Sequence, residues 1–246
     1  MKKRVKKHLP NAITCFNLFS GCVGVAFAFK GDLITAAYAL FLAAIFDFFD
    51  GFAARVLQSF SGIGKDLDSL ADVLSFGLLP SAILYELFLK SPQIEKIGPY
   101  VCFLAFAIAV FSALRLAKFN TDTRQADIFI GLPTPANGVL IASLPFIIEQ
   151  HPLLNQYILN QYTLLVLVIV MCALLVAELP LMSLKFKNRD PRNLYRYLLL
   201  LFAAILILFF KFAAIPVVIF IYITLSIIQL KTANNNNIVG SQKENI

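Results

Sequence analysis

Apolar stretches long enough to cross a lipid bilayer recur along the whole 246-residue chain, and they constrain its fold more than any other feature. Apolar residues make up 59% of the chain and charged residues 14%, against roughly 45–50% and about 25% in a soluble domain. A transmembrane helix needs about 20 predominantly apolar residues. We therefore predict an all-α integral membrane protein, a polytopic bundle of about eight transmembrane helices. The predicted spans are residues 12–29, 33–54, 70–89, 97–117, 134–149, 160–183, 194–210 and 213–230.

The distribution of lysine and arginine predicts the orientation of these spans. If both termini are cytoplasmic, 17 of the 21 Lys and Arg residues fall in inner segments and four in outer loops. Short cytoplasmic loops of membrane proteins carry such an excess. The net charge of +7 then reflects topology and attraction to anionic headgroups rather than nucleic-acid binding. We expect a multi-pass protein of the cell membrane (the inner or cytoplasmic membrane).

The chain divides into one membrane domain, residues 1–230, and a polar tail, residues 231–246, which is predicted to be disordered because it is low in complexity. The basic start followed by an apolar run resembles a signal peptide. That run is long enough to span the membrane and carries polar residues on related faces, which favours a retained helix. The cysteines lie inside apolar spans without a CxxC pair and are predicted to be small buried hydrophobes: Cys15, Cys22, Cys102 and Cys172.

Five aspartates interrupt the apolar pattern within the segment FDFFDGFAARVLQSFSGIGKDLDSLADVLSFG. Asp47 and Asp50 are three residues apart near the end of the second span. Asp68 and Asp72 are four residues apart where the third span begins, and both spacings place two carboxylates on one helix face. Because the two helices are antiparallel neighbours, we expect these four carboxylates to converge just inside the cytoplasmic boundary. Asp66 points elsewhere and is predicted to be a helix N-terminal acid or cap.

Four converging anions at a membrane boundary need a neutralising partner, because they repel one another and are costly to desolvate. Hard divalent cations take all-oxygen ligands, and carboxylates suit Mg²⁺ or Mn²⁺. A pair of such ions is a common device for holding a phosphoryl or pyrophosphate group. The spacing alone leaves two other interpretations open, namely salt bridges to Arg55 and Lys65, or carboxylates that line an ion path.

Small and basic residues extend the aspartate pattern to DxxDGxxAR-x8-GxxxDxxxD, which begins at Asp47. This complete pattern resembles the signature of the CDP-alcohol phosphotransferase family. The resemblance implies a site with two divalent ions, Mg²⁺ or Mn²⁺, whose ligands would be Asp47, Asp50, Asp68 and Asp72. It also implies that Asp72 is the base that activates the acceptor alcohol. The residues that would border the CDP moiety are Gly51, Ala54, Arg55 and Gly64.

Segments on both sides of the signature resemble a subgroup of this family. LPNAITCFNLFSGCVGV, DSLADVLSFGLLP, SALRLAKFN, GLPTPANG and ELPLMSLK are together similar to the membrane-embedded phosphatidylserine synthases of bacteria and archaea. The resemblance implies transfer of a phosphatidyl group from CDP-diacylglycerol to the hydroxyl of L-serine, which gives phosphatidylserine and CMP. It also implies a homodimer.

A serine acceptor needs a cation for its carboxylate, and several residues at inner helix ends are candidates. The basic ones are Arg115, Lys118 and Lys185, with Asn120 and Thr134 as polar neighbours. Arg115 interrupts an apolar helical run and needs an anionic partner more than the others. The alternative is that the three cations are positive-inside anchors that reach the headgroups, and that Thr134 is a helix N-cap.

Two other functions remain open from the sequence. The same chemistry with another acceptor, glycerol 3-phosphate or inositol phosphate, would require a denser basic pocket. An ion-coupled transporter would use the aspartates as an ion path, but that function predicts acids spread through the membrane depth on several helices. Here the acids cluster at one depth on two helices, which favours the enzyme.

Overall fold

The structure is a computed structural model of the chain, and it describes residues 2–59, 62–92, 98–122, 129–182 and 193–243. These residues form α-helices joined by short 3-10 helices, and one pair of two-residue strands. Several of the helices are long and apolar enough to cross a membrane. The predicted all-α membrane fold is therefore confirmed.

The first two helices, α1 (Lys2–Phe29) and α2 (Leu33–Val56), pack along each other as a hairpin. Gly31 makes the reversal with a φ of +80°, which glycine adopts without a steric penalty. The Asp32 side chain then caps α2 by accepting a hydrogen bond from the Thr35 backbone N–H at 3.1 Å. The hairpin places the start of α1 beside the end of α2, where the first two aspartates lie.

The next helices form the centre of the bundle. Helix α3 (Gly62–Asp72) runs into a π-helical turn (Val73–Leu78), and α4 (Leu79–Lys90) follows at once. In the most apolar stretch of this run, 67% of the residues are buried, whereas 33% are buried in the corresponding stretch of α2. The other helices therefore pack around this run, and several of its polar residues are buried, namely Asp72, Ser75 and Ser81.

The helices around the central run come from the second half of the chain. In order they are a 3-10 helix (Pro99–Phe106), α5 (Ala107–Thr121), α6 (Thr134–Gln150), a 3-10 helix (Pro152–Leu154), α7 (Asn155–Ile158) and α8 (Gln161–Val176). Helices α5 and α6 both contact the π-helical turn.

A small antiparallel strand pair connects the segments before α6 and after α8. Strand β1 (Phe129–Ile130) pairs with β2 (Pro180–Leu181), with Phe129 opposite Leu181. Gly131 follows β1 with a φ of +75°, and a Cβ there would lie 2.8 Å from the Leu175 carbonyl oxygen. Only glycine fits at this close approach to the end of α8, and the approach fixes where α6 begins.

The last two helices, α9 (Asn193–Phe210) and α10 (Ala214–Lys243), are separated by a 3-10 helix (Lys211–Ala213) and pack against each other. Lys211 has a φ of +48°, so the chain breaks where the sequence predicts a split. The Phe212 ring stacks on Phe146 at 3.9 Å between centroids, which places this break beside the C-terminal half of α6.

Helix α10 continues to Lys243, into the tail for which the sequence predicts disorder. A Pro-free segment after Pro216 allows the helical backbone to continue. The division into a domain over residues 1–230 and a tail over 231–246 stays a prediction.

The predicted number of eight spans is not confirmed. Among the described residues, five helical runs pass a test of length and composition for crossing a membrane, with α9 and α10 counted together as Asn193–Gln229. The number is six if a pair bent by 70° at Leu159–Asn160 is counted as one span. Helix α6 has 17 residues and α8 has 16, so each is shorter than a typical span of about 20 residues. The helical segments lie where the sequence predicts them, but their lengths do not settle how many cross.

The cysteine prediction is right for two residues and wrong for two. Cys102 and Cys172 are buried, whereas Cys15 and Cys22 are exposed on α1. The reason is that α1 packs on one side only, so its other face lies at the surface of the bundle.

Candidate active site

Three aspartates from two helices converge at one end of the bundle. Asp47 and Asp50 lie one turn apart on α2, and Asp68 lies on α3. One carboxylate oxygen from each falls within 4.8 Å of the others. Asp50 is buried and the other two are half-buried. The predicted convergence of these carboxylates is what the structure shows.

Asp72 lies next to this group rather than within it. It is the last residue of α3, immediately before the π-helical turn, and it is buried. Its carboxyl group is in hydrogen-bonding contact with that of Asp47. Its distinct position suits a role that differs from that of the other three.

The donor set fits a divalent cation. Asp50 Oδ2 and Asp72 Oδ1 are buried, and neither has a hydrogen-bond partner among the described residues. An unpaired buried carboxylate oxygen is costly, and a hard cation that takes several oxygen ligands removes that cost. The structure therefore supports a divalent cation at these aspartates.

The alternative in which Arg55 and Lys65 neutralise the aspartates is not supported. Arg55 Nε donates to the Gly51 carbonyl oxygen at 2.9 Å. Lys65 Nζ donates to the Asn120 carbonyl oxygen at 3.0 Å. In the part of the chain that the structure describes, both cations thus bind backbone carbonyls rather than the carboxylates.

A cavity of about 610 Å³ opens beside the carboxylates. Its volume lies within the range of roughly 300–1,000 Å³ that is usual for ligand sites. The four residues predicted to border a CDP moiety all line it, together with two of the aspartates: Gly51, Ala54, Arg55, Gly64, Asp50 and Asp68. A Cβ at Gly51 would meet no atom within 4 Å, so this glycine leaves space in the cavity.

Three further lining residues from α1 were not predicted as site residues: Pro10, Asn11 and Thr14. The Thr14 side chain is in hydrogen-bonding contact with Asp50, and its hydroxyl lies 3.1 Å from the Pro10 carbonyl oxygen. The polar residues at helical spacing in LPNAIT were the available signal. Without knowing that α1 packs along α2, nothing in the sequence assigns them to this cavity.

A second polar group lies between α5 and α6. Arg115 is buried, and its Nη1 donates to the Thr134 hydroxyl at 3.0 Å. The guanidinium also lies 5.9 Å from the centroid of the Phe119 ring. The structure thus brings together two of the residues predicted to hold an acceptor alcohol.

The other predicted acceptor residues are not part of this pair. Asn120 donates from Nδ2 to the Ser69 hydroxyl at 2.8 Å, which joins the end of α5 to α3. Lys118 is exposed. Lys185 lies outside the described residues.

The fold and the site together define a polytopic helical membrane protein with a carboxylate cluster beside a cavity of nucleotide size. The sequence profile of the CDP-alcohol phosphatidyltransferase family matches residues 7–229 of the chain. The chain therefore belongs to this family, whose members are membrane-bound and generally use divalent metal ions.

Curated relatives within the family share one reaction type by name. The chain is 34% identical over 139 residues to the CDP-diacylglycerol–serine O-phosphatidyltransferase of Bacillus subtilis, which covers 56% of this chain and 76% of that protein. It is 37% identical over 134 residues to the enzyme of that name from Helicobacter pylori, 54% of each chain. It is 34% identical over 138 residues to the archaetidylserine synthase of Methanothermobacter thermautotrophicus, 55% of this chain and 56% of the other. The match thus spans about half the length of the last two proteins.

Proposed function

We propose that this protein transfers a phosphatidyl group from CDP-diacylglycerol to L-serine and releases CMP. The observation that carries the proposal is the cavity, because all four signature residues predicted to border a CDP moiety line it beside the carboxylates. The names of the curated relatives support serine as the acceptor.

The cavity suits the nucleotide half of the substrate. Gly51 and Ala54 have little or no side chain, so the pyrophosphate can approach the backbone of α2 closely. Gly64 does the same at the start of α3. Arg55 is exposed at the rim, where its guanidinium can pair with a phosphate.

The aspartates would hold the metal, with Asp47, Asp50 and Asp68 as ligands and Asp72 as a further one. We propose two divalent ions, Mg²⁺ or Mn²⁺. When bound, such ions offset negative charge on the pyrophosphate and on the leaving nucleotide. The protein's part is to fix the carboxylates on two helices, so that the charges are in place before substrate binds.

The transfer step forms one P–O bond and breaks another. The serine hydroxyl oxygen attacks the phosphorus that carries the diacylglycerol, and the bond from that phosphorus to the bridging oxygen of CMP breaks. CMP leaves with the bonding electrons. Asp72 takes the hydroxyl proton, a role that suits a carboxylate beside the close group of Asp47, Asp50 and Asp68.

The acceptor would lie towards α5 and α6. Arg115 and Thr134 are buried there, and the guanidinium can bind the serine carboxylate. We propose Lys118, Asn120 and Lys185 as further contacts to serine or to the lipid phosphate.

We also propose that the active site faces the cytoplasm from the cell membrane and that the protein is a homodimer. The lysine and arginine distribution supports the orientation. A site at the membrane boundary lets the acyl chains stay in the bilayer while the nucleotide is in water, and this explains the depth of the aspartates.

The experiment that tests the function is an acceptor comparison. Purified protein in liposomes with CDP-diacylglycerol and Mg²⁺ is given L-serine, glycerol 3-phosphate or inositol phosphate, and CMP release is followed. We expect release with L-serine and not with the phosphorylated acceptors. Release with a phosphorylated acceptor alone would be consistent with the proposed nucleotide site but would contradict serine as the acceptor.

A further inference from the structure

Buried polar atoms without a partner cluster around the π-helical turn. Among the described residues, side chains with such atoms are Asn17, Asp50, Asp72, Ser112, Arg115, Asn137 and Asn155. All but Asn155 lie on helices that meet at the carboxylates or contact the π-helical turn. Leaving a buried donor or acceptor unpaired costs about 1–3 kcal/mol for each group. Such a concentration indicates groups that pair with a bound molecule.

Three of these residues, Ser112, Arg115 and Asn137, lie on α5 and α6. Ser112 lies one turn before Arg115 on one face of α5, and Asn137 lies one turn after Thr134 on one face of α6. The hydrogen bond from Arg115 to Thr134 joins the two faces. Ser112 and Asn137 are fully buried.

Both helices pack on adjacent residues of the π-helical turn, which begins immediately after Asp72. A Cβ at Gly77 would lie 3.1 Å from the Ser112 Cβ. A Cβ at Gly138, next to Asn137, would lie 3.3 Å from the Cα of Phe76. Ser112 and Asn137 are therefore held at the same level of the bundle, on the turn that follows the proposed base.

We propose that Ser112, Asn137 and the Nε of Arg115 form the pocket that selects an α-amino acid as the acceptor. This deepens the proposed function and depends on it. We assign the carboxylate of the acceptor to Arg115, and its ammonium group to the Asn137 side-chain oxygen and the Ser112 hydroxyl.

The unpaired atoms match this ligand class. Arg115 Nε and Asn137 Nδ2 are donors, which a carboxylate accepts from, and Asn137 Oδ1 and Ser112 Oγ are acceptors for an ammonium group. A phosphorylated alcohol has more negative charge and no cationic donor for those two acceptors. Within the described residues that lie on helices in contact with the turn, Arg115 is the buried cation. The negative charge of an alcohol phosphate would therefore be incompletely neutralised here.

The test compares Asn137→Leu and Ser112→Ala with the wild-type protein in liposomes. The matched control is Ser143→Ala, since Ser143 is also buried on α6 but its hydroxyl already donates to the Leu140 carbonyl oxygen at 2.6 Å. Each variant is assayed for KM of L-serine and of CDP-diacylglycerol. The acceptors also include 3-hydroxypropionate, which lacks the ammonium group, and 2-aminoethanol, which lacks the carboxylate.

We expect the KM for L-serine to rise roughly 10- to 100-fold in both pocket variants, as for a lost hydrogen bond to a charged group. The KM for CDP-diacylglycerol should not change, and the preference for L-serine over 3-hydroxypropionate should shrink. Ser143→Ala should keep the wild-type values. A binding readout supports the kinetics: L-serine should raise the melting temperature of the wild-type protein and of Ser143→Ala, but not that of Asn137→Leu.

Two failures can be told apart. If the wild-type protein transfers to L-serine but both pocket variants keep its KM, this pocket is wrong and the proposed function stands. If the wild-type protein releases no CMP with L-serine, both are wrong. Asn137→Leu should melt no lower than wild type without ligand, because it removes unpaired buried atoms. A lower melting temperature together with an unchanged KM in Ser112→Ala would show a structural role only.

Discussion

Arg115 and Thr134 are joined by a buried hydrogen bond of 3.0 Å that links α5 to the first residue of α6. Both residues lie in segments that resemble those of phosphatidylserine synthases, yet nothing in the sequence pairs them. The strand pair and Gly131 fix where α6 begins, and the π-helical turn packs against both helices. The position of Arg115 between α5 and α6 therefore depends on three separate parts of the chain.

Replacing Thr134 by valine should destabilise the protein. The substitution keeps the shape but removes the acceptor for Arg115 Nη1, and a buried donor without a partner costs about 1–3 kcal/mol. We expect the free energy of unfolding in detergent to fall by that amount, measured by denaturant titration. Thr134→Ser keeps the hydroxyl and is the control. Equal stability of the valine variant and wild type would show that this hydrogen bond does not hold α5 to α6.

Replacing Asp50 by asparagine should abolish stabilisation by divalent metal. A ligand that binds only the folded state adds about 2.7 kcal/mol at 100 times its Kd, so Mg²⁺ should raise the wild-type melting temperature. Without metal, Asp50→Asn should melt no lower than wild type, because one of three close carboxylates is neutral. The control is Asp66→Asn, since Asp66 is exposed and outside this group. A full Mg²⁺ effect in Asp50→Asn would contradict the metal assignment.

Replacing each of two glycines by alanine should distinguish an effect on substrate binding from an effect on packing. A Cβ at Gly51 meets no atom within 4 Å but reduces the cavity, so Gly51→Ala should raise the KM for CDP-diacylglycerol without lowering the melting temperature. A Cβ at Gly21 would lie 2.4 Å from Ser75 Oγ and 3.0 Å from its Cα, and overpacking of this kind costs about 1–3 kcal/mol. Gly21→Ala should therefore melt lower. The same response in both variants would count against the cavity as the nucleotide site.

The orientation in the membrane can be tested with single cysteines. Gln58 and Lys211 are exposed and both have a positive φ, +49° and +48°, so cysteine is equally strained at the two positions. In a variant whose four native cysteines are alanine, we expect a membrane-impermeant thiol reagent to label Lys211→Cys in intact cells. Gln58→Cys should be labelled only after the cells are opened. The reverse pattern would place the carboxylates on the outer side.

The convergence of the aspartates could be predicted from the sequence because it depends on local spacing. Asp47 and Asp50 must share a face of any helix. The loop before Asp68 is short, so it keeps the next helix beside the end of α2. The position of Gly51, Ala54 and Arg55 at the cavity could be predicted too, because they lie on the same helix as Asp47 and Asp50.

Features that depend on packing between distant segments could not be predicted. No sequence pattern shows that α1 contributes Pro10 and Thr14 to the cavity. No sequence pattern shows whether the buried side chain of Asn137 has a hydrogen-bond partner. The predicted number of eight spans is not confirmed for the same reason, since the lengths of α6 and α8 are set by the strand pair and by the bend before Gln161.

The proposed reaction is tested most directly by whether labelled L-serine enters lipid in step with CMP release. Wild-type protein and Asp72→Asn are placed in liposomes with CDP-diacylglycerol and Mg²⁺, and both products are measured, with and without a chelator. We predict equal amounts of phosphatidylserine and CMP from the wild type, and neither product with chelator or from a folded, metal-binding Asp72→Asn. CMP without labelled lipid, or undiminished transfer by Asp72→Asn, would contradict the proposed reaction or the proposed base.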